Sequence, residues 1–82
     1  MQIRLYTTAG CHLCEEALAL LRRAQLDGHA FEICEVEIAG SESLCHRYGL
    51  RIPVIAHGQA NELGWPFGYE DLLEYIGGIA RD

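Results

Sequence analysis

The chain has 82 residues, half of them hydrophobic, with twelve acidic residues against six arginines and no lysine, giving a formal charge of −6. That length accommodates one small domain, expected over residues 1–82, and an apolar half excludes a disordered chain. No apolar run approaches the roughly 18 residues of a membrane span, and arginines at 4, 22, 23, 47, 51 and 81 are too scattered to form the basic patch that nucleic acid or an anionic membrane needs.

Met1-Gln2-Ile3-Arg4 runs directly into the first predicted strand, so no signal peptide is expected. That strand, Gln2 to Tyr6, carries Ile3 and Leu5 on one face, and Thr7 to Gly10 is the turn after it. The spacing then predicts a helix from about Cys11 to Leu26, with Leu13, Ala17, Leu20, Leu21 and Ala24 as its apolar stripe and Asp27-Gly28 closing it. Glu15 and Glu16 near its start and Arg22 and Arg23 near its end suit the helix dipole. Ala30 to Ile38 reads as a second strand, rich in β-branched and aromatic residues. Ser41 is the expected N-cap of a short helix, Glu42 to Tyr48, that Gly49 stops.

Pro53 to His57 is a third strand, Gly58-Gln59 a tight turn, and Ala60 to Leu63 a fourth strand that completes a hairpin. Gly64-Trp65-Pro66 breaks the pattern. A last helix, Tyr69 to Ile76, is predicted to bury Leu72, Leu73 and Ile76, to expose Glu70, Asp71 and Glu74, and to end at Gly77-Gly78. The order β-α-β-α-β-β-α places the chain in the α/β class. The first two strands form a right-handed parallel βαβ unit, and the hairpin extends it antiparallel into a four-stranded mixed sheet with helices on both faces.

Cys11-His12-Leu13-Cys14 falls where the first strand gives way to the first helix. A cysteine there meets unpaired backbone N–H groups and the positive end of the dipole, both of which favour thiolate over thiol. Cys14 lies one turn further on, within reach of a disulfide. With no signal peptide and no dense cysteine framework, the CxxC reads as catalytic or metal-binding rather than as a structural staple, and the chain as cytoplasmic. A protonated His12 would stabilise the Cys11 thiolate, while Glu15 and Glu16 would oppose it. A metal site would need Cys45 and a histidine beside the pair, but Cys34 and Cys45 make no second CxxC and read as small packing residues. His29, His46 and His57 fall at element ends without ligand spacing.

This element order, with Ala9-Gly10-Cys11-His12-Leu13-Cys14, Tyr48-Gly49-Leu50-Arg51-Ile52-Pro53-Val54 and Glu62-Leu63-Gly64-Trp65-Pro66-Phe67, resembles the glutaredoxins and glutaredoxin-like proteins of the thioredoxin fold. The resemblance implies a thiol–disulfide oxidoreductase in which Cys11 attacks and Cys14 resolves, supported by Gly10, His12 and Trp65. It also implies a cis bond before Pro53 that turns the backbone of Ile52 toward the cysteines, where a substrate strand can pair. It further implies no bound cofactor or metal, glutathione as co-substrate, protein or small-molecule disulfides as substrates, and glutathione or a thioredoxin reductase as the source of electrons. The protein is expected to be a monomer without nucleic-acid or membrane partners.

Glutathione would be held by Ile52, Arg51 and the stretch Phe67-Gly68-Tyr69-Glu70-Asp71, with Gly68 and Tyr69 at the start of the last helix. The chain departs from glutaredoxins in lacking a lysine before the CxxC and a Pro-Tyr within it, and in placing Glu70 and Asp71 where a carboxylate would dock. Weaker glutathione binding than in a typical glutaredoxin follows. Two other readings use the same residues: a redox-silent module docking partners at the Ile52-Pro53 edge, and a metal-binding protein using the CxxC.

Overall fold

Strand β1 (Gln2–Thr7) sends Ile3 and Leu5 to one face of a sheet and Tyr6 to the other, because successive side chains of an extended chain point opposite ways. The computed structural model, which describes residues 1–59 and 61–80, builds both layers of the core on that alternation. β1 pairs in parallel with β2 (Glu32–Glu37) and antiparallel with β3 (Val54–His57), which pairs antiparallel with β4 (Asn61–Gly64). The resulting order is β2-β1-β3-β4. Helices α1 (His12–Leu26) and α3 (Tyr69–Ala80) cover one face, where Ala17, Leu21, Ala24, Leu72, Ile76 and Ile79 meet Ile3, Leu5 and Ile55. Helix α2 (Glu42–Tyr48) covers the other, where Tyr48 and Leu44 pack on Tyr6, Val54 and Ala56. β3, with Val54, Ile55 and Ala56 all buried, is covered on both faces and reads as a continuous apolar run.

The expected element order and mixed sheet are present, with shifted ends. Cys11 precedes α1 as its N-cap, and Leu13, expected on the apolar stripe, is 43% exposed. β2 is shorter than residues 30–38, and Phe31 and Ile38 flank it as buried residues. β4 runs through Gly64, while its expected first residue, Ala60, lies outside the described residues. The largest difference is α3, which continues through Gly77-Gly78 to Ala80. Ile79 extends the stripe of Leu72 and Ile76 by another turn and is buried against the core. Burying it is worth about 2 kcal/mol, enough to offset roughly 1 kcal/mol for each helical glycine. Leu73 is only half-buried, because the stripe passes through Leu72 instead. The peptide bonds before Pro53 and Pro66 are both cis.

α2 is tied to β4 by side chains rather than by backbone. The Tyr48 hydroxyl donates to Glu62 at 2.7 Å, Arg51 donates to the same carboxylate at 3.0 Å, and Arg47 lies 3.5 Å from it. The Tyr48 bond first, and then Arg51, hold the Glu62 carboxyl below the usual range. Burial and the bond to Glu62 push Tyr48 up to about 12. The stability that Glu62 contributes is therefore complete above its ordinary value of 4.5 and is lost as pH falls below that, through the lower folded value. Tyr48 acts in the opposite sense, with its contribution complete below 10.0 and lost as pH rises toward about 12. Urea unfolding of wild type and Glu62→Gln between about pH 3 and pH 7 checks the acid side. The wild type's advantage should be constant near neutrality and shrink once pH drops below 4.5. An advantage independent of pH would contradict the assignment.

Candidate active site

The turn leaving β1 is set by Gly10, whose φ of +78° lies in the left-handed region, where a Cβ is strained. Nothing lies within 4 Å of the position a Cβ would take, so conformation rather than crowding calls for glycine. The chain then reaches Cys11 in extended backbone, φ −86° and ψ 105°, as the N-cap of α1. Its sulfur accepts the Cys14 N–H at 3.1 Å, in the place where a serine or aspartate oxygen usually satisfies one of the open donors of a first turn. Cys11 and Cys14 are joined as a disulfide with Cα atoms 5.2 Å apart, inside the usual span. Cys11 is half-buried and Cys14 only 3% exposed, so Cys11 is the more accessible of the two.

Glu37, at the end of β2, was not singled out by the sequence pattern. It accepts the Ala9 N–H at 3.1 Å and the Ala39 N–H at 3.3 Å, pinning the loop that presents Cys11. Desolvation raises its pKa, but hydrogen bonds from Ala39, Thr8, Ala9 and Ile38 outweigh that and hold the carboxyl below its ordinary value. Glu37 lies 28 residues from Ala9 in sequence, and no local pattern marks such a contact. A groove of about 250 Å³ beside the disulfide is lined by Thr8, Gly10, Cys11, Cys14, Glu15 and Glu35, among others. Its two carboxylates oppose negative charge on sulfur, while the helix terminus favours it.

Of the residues expected at the site, Gly10, Cys11 and Cys14 come together in this groove. His12 projects into solvent, 3.9 Å from Glu15 and from Glu16. Arg51, Ile52, Pro53, Trp65, Gly68 and Tyr69 do not line the groove. The Arg51 guanidinium is spent on Glu62. The Ile52 N–H already donates to the Tyr48 carbonyl at 3.0 Å, and the Trp65 N–H to the Pro53 carbonyl at 3.0 Å. Pro53 is buried. Trp65 packs edge-on to Phe67, against the layer formed by α1 and α3. The Gly68 N–H donates to Asp71 at 2.7 Å, so Asp71, exposed as expected, also reaches back to close the first turn of α3. The Tyr69 hydroxyl donates to Asp27, with Arg23 over its ring, at the far end of α1, which rises about 22 Å along its length. Cys45, expected as a packing residue, is exposed, and its thiol donates to the Ile38 carbonyl; Cys34 is half-buried. Among the described residues, no group of three or more His, Cys, Asp or Glu is placed to hold a metal ion.

Residues 2–77 match the family model described as a glutaredoxin-like domain (DUF836). The chain is similar to the X-ray structure of the Northeast Structural Genomics target protein XcR50 from X. campestris. The two share 36% identity over 93% of this chain and 96% of that one, with a TM-score of 0.78. The solution structure of XcR50 gives 35% identity over 95% of each chain and a TM-score of 0.77. Thioredoxin 1 from Thermosipho africanus TCF52B shares the fold, with 12% identity, 99% of this chain and 96% of that chain covered, and a TM-score of 0.68. No curated protein matches.

The turn at Gly10 can be tested by substitution. Gly10→Ala should lower unfolding free energy by about 1 to 2 kcal/mol through left-handed strain alone, and Gly10→Asn by less, as read from urea midpoints of the oxidised protein. An alanine variant as stable as wild type would show that the turn does not depend on the left-handed conformation.

Proposed function

The chain belongs to the glutaredoxin-like domain family, and from that membership and the sulfur-capped helix we propose that it is a cytoplasmic, monomeric thiol–disulfide oxidoreductase with no resident cofactor. The observation that carries this reading is the Cys11 sulfur, half-buried at the helix terminus and accepting the Cys14 N–H. In the reduced protein that N–H and the helix dipole stabilise a thiolate on Cys11. The thiolate attacks one sulfur of a substrate disulfide, forming a mixed disulfide and expelling the other sulfur as a thiolate that takes up a proton. Cys14, shielded one turn along, loses its proton and attacks the Cys11 sulfur. That step releases the second substrate thiol and leaves Cys11–Cys14 oxidised, so two electrons have passed to the substrate. A thiol reductant returns the pair to the dithiol.

The family resemblance assigns docking of glutathione or a substrate strand to Arg51, Ile52, Pro53, Gly68 and Tyr69. In this chain, however, the Arg51 charge, the Ile52 N–H and the Gly68 N–H already have internal partners. A glutathione carboxylate would have to displace Asp71 from Gly68, and Glu15 and Glu35 add negative charge beside the sulfurs. We therefore read glutathione as a weak co-substrate and a reductase or dedicated protein as the stronger electron donor.

A side-by-side disulfide reductase assay, with glutathione plus glutathione reductase in one arm and thioredoxin reductase in the other, tests this. Wild type should turn over, more slowly with glutathione than a typical glutaredoxin does. Cys11→Ser should lose at least about a hundredfold, given that the attacking nucleophile is gone. Cys14→Ser should accumulate a mixed disulfide visible by mass spectrometry. A Cys11→Ser variant with full activity would overturn the assignment. A wild type that cannot cycle its disulfide would replace the enzyme with a binding module.

A further inference from the structure

Three of the arginines in this acidic chain gather on the face of the sheet that carries α2. Arg4 on β1 and Arg47 on the last turn of α2 line a groove of about 580 Å³ whose walls include Tyr6, Tyr48 and Glu62, and Arg51 reaches Glu62 from beyond α2. The rings of Tyr6 and Tyr48 stack at 4.1 Å, giving the groove a rigid aromatic side. Arg4 lies 5.9 Å from the Tyr6 ring centre, and Arg47 5.3 Å and Arg51 5.5 Å from that of Tyr48. The groove is on the opposite face of the sheet from α1, whose N-terminus carries the cysteine pair. The redox reading does not use it.

We propose that this groove binds a small multivalent anion, recognised through carboxylate or phosphoryl oxygens. Arg47 and Arg51 face a single carboxylate, Glu62, and Arg4 lines the same groove without an acidic partner among the described residues, leaving a local excess of positive charge in a chain whose net charge is −6. At physiological salt the remaining acidic residues are screened beyond about 8 Å, so the local field decides. Glu62 already displays how an oxyanion is held there: a tyrosine hydroxyl and Arg51 donate to its two oxygens, with Arg47 beside them. Arg4 donates one bond to the Tyr6 hydroxyl and one to the Gly58 carbonyl. Its other N–H groups have no partner among the described residues and are available to an oxygen in the groove. A ligand bridging Arg4 and Arg47 would complete the pairing of both. The groove's volume suits a molecule the size of pyrophosphate or a tricarboxylate.

The test is a backbone amide NMR titration of the full chain with inorganic pyrophosphate and, separately, with citrate, holding ionic strength constant with sodium chloride. Saturable shifts confined to the groove, at residues such as Tyr6, Tyr48 and Gly58, are expected with at least one anion. Pyrophosphate alone would identify phosphoryl oxygens as the recognised group, and citrate alone carboxylates. Arg47→Gln should weaken binding roughly tenfold, the usual scale of one charge-assisted hydrogen bond. Glu62→Gln should tighten it severalfold by removing a like charge. Arg47 is largely exposed, and circular dichroism of its variant checks that the fold is kept. Shifts that fail to saturate, that cluster elsewhere, or that persist unchanged in Arg47→Gln would overturn the proposal.

Discussion

Cys11 closes α1 with its own sulfur, and the proposed chemistry rests on that one hydrogen bond from the Cys14 N–H. A serine or aspartate would satisfy the same donor, so the cap alone does not require cysteine. What cysteine adds is a sulfur that titrates and forms bonds, held where unpaired N–H groups and the helix dipole both favour its anion. The rest of the fold fixes that placement. β1 is clamped between β2 and β3 and buried on both faces, Gly10 turns the chain through a conformation that other residues resist, and Glu37 ties the loop back to β2.

Around that sulfur the charge is mixed. The helix terminus favours a thiolate, while Glu15 and Glu35 line the same groove and oppose it. For the proposed chemistry the dipole and the first-turn N–H groups must outweigh these carboxylates, both fields being screened by water and salt. The acidic rim has a second effect, which is to disfavour anionic partners close to the disulfide. Groups that would ordinarily welcome such a partner are internally engaged: Arg51 with Glu62, the Ile52 N–H with the Tyr48 carbonyl, and the Gly68 N–H with Asp71. Each engagement stabilises the fold where the family resemblance expects binding.

The element order and the site of the cysteine pair were legible because both are local signals. Alternation in β1 and the 3.6-residue stripe through Ala17, Leu21 and Ala24 follow from the chain itself, as does a CxxC between them. The end of α3 was not legible, because Gly77-Gly78 is a local stop signal that tertiary burial of Ile79 overrides. The fates of Arg51, Gly68 and Tyr69 were legible only in part. Tyr69 opens α3 while Arg51 and Gly68 lie just outside the elements, and the partners that engage Arg51 and Tyr69 lie 11 and 42 residues away, at separations that no periodicity encodes. Asp71 is the instructive case: three residues after Gly68, it has the spacing of a side chain that reaches back to close a helix start, and that local rule described it better than its charge did.

The central claim is that the capped position makes Cys11 the thiolate of the pair. The most direct test is the rate of alkylation of the reduced protein as a function of pH, with each cysteine assigned by mass spectrometry. The account predicts that Cys11 reacts first and with a midpoint below the roughly 8.5 of an unperturbed cysteine, while Cys14 follows at higher pH. Faster alkylation of Cys14 near neutral pH, or a Cys11 midpoint no lower than that of a free thiol, would contradict it.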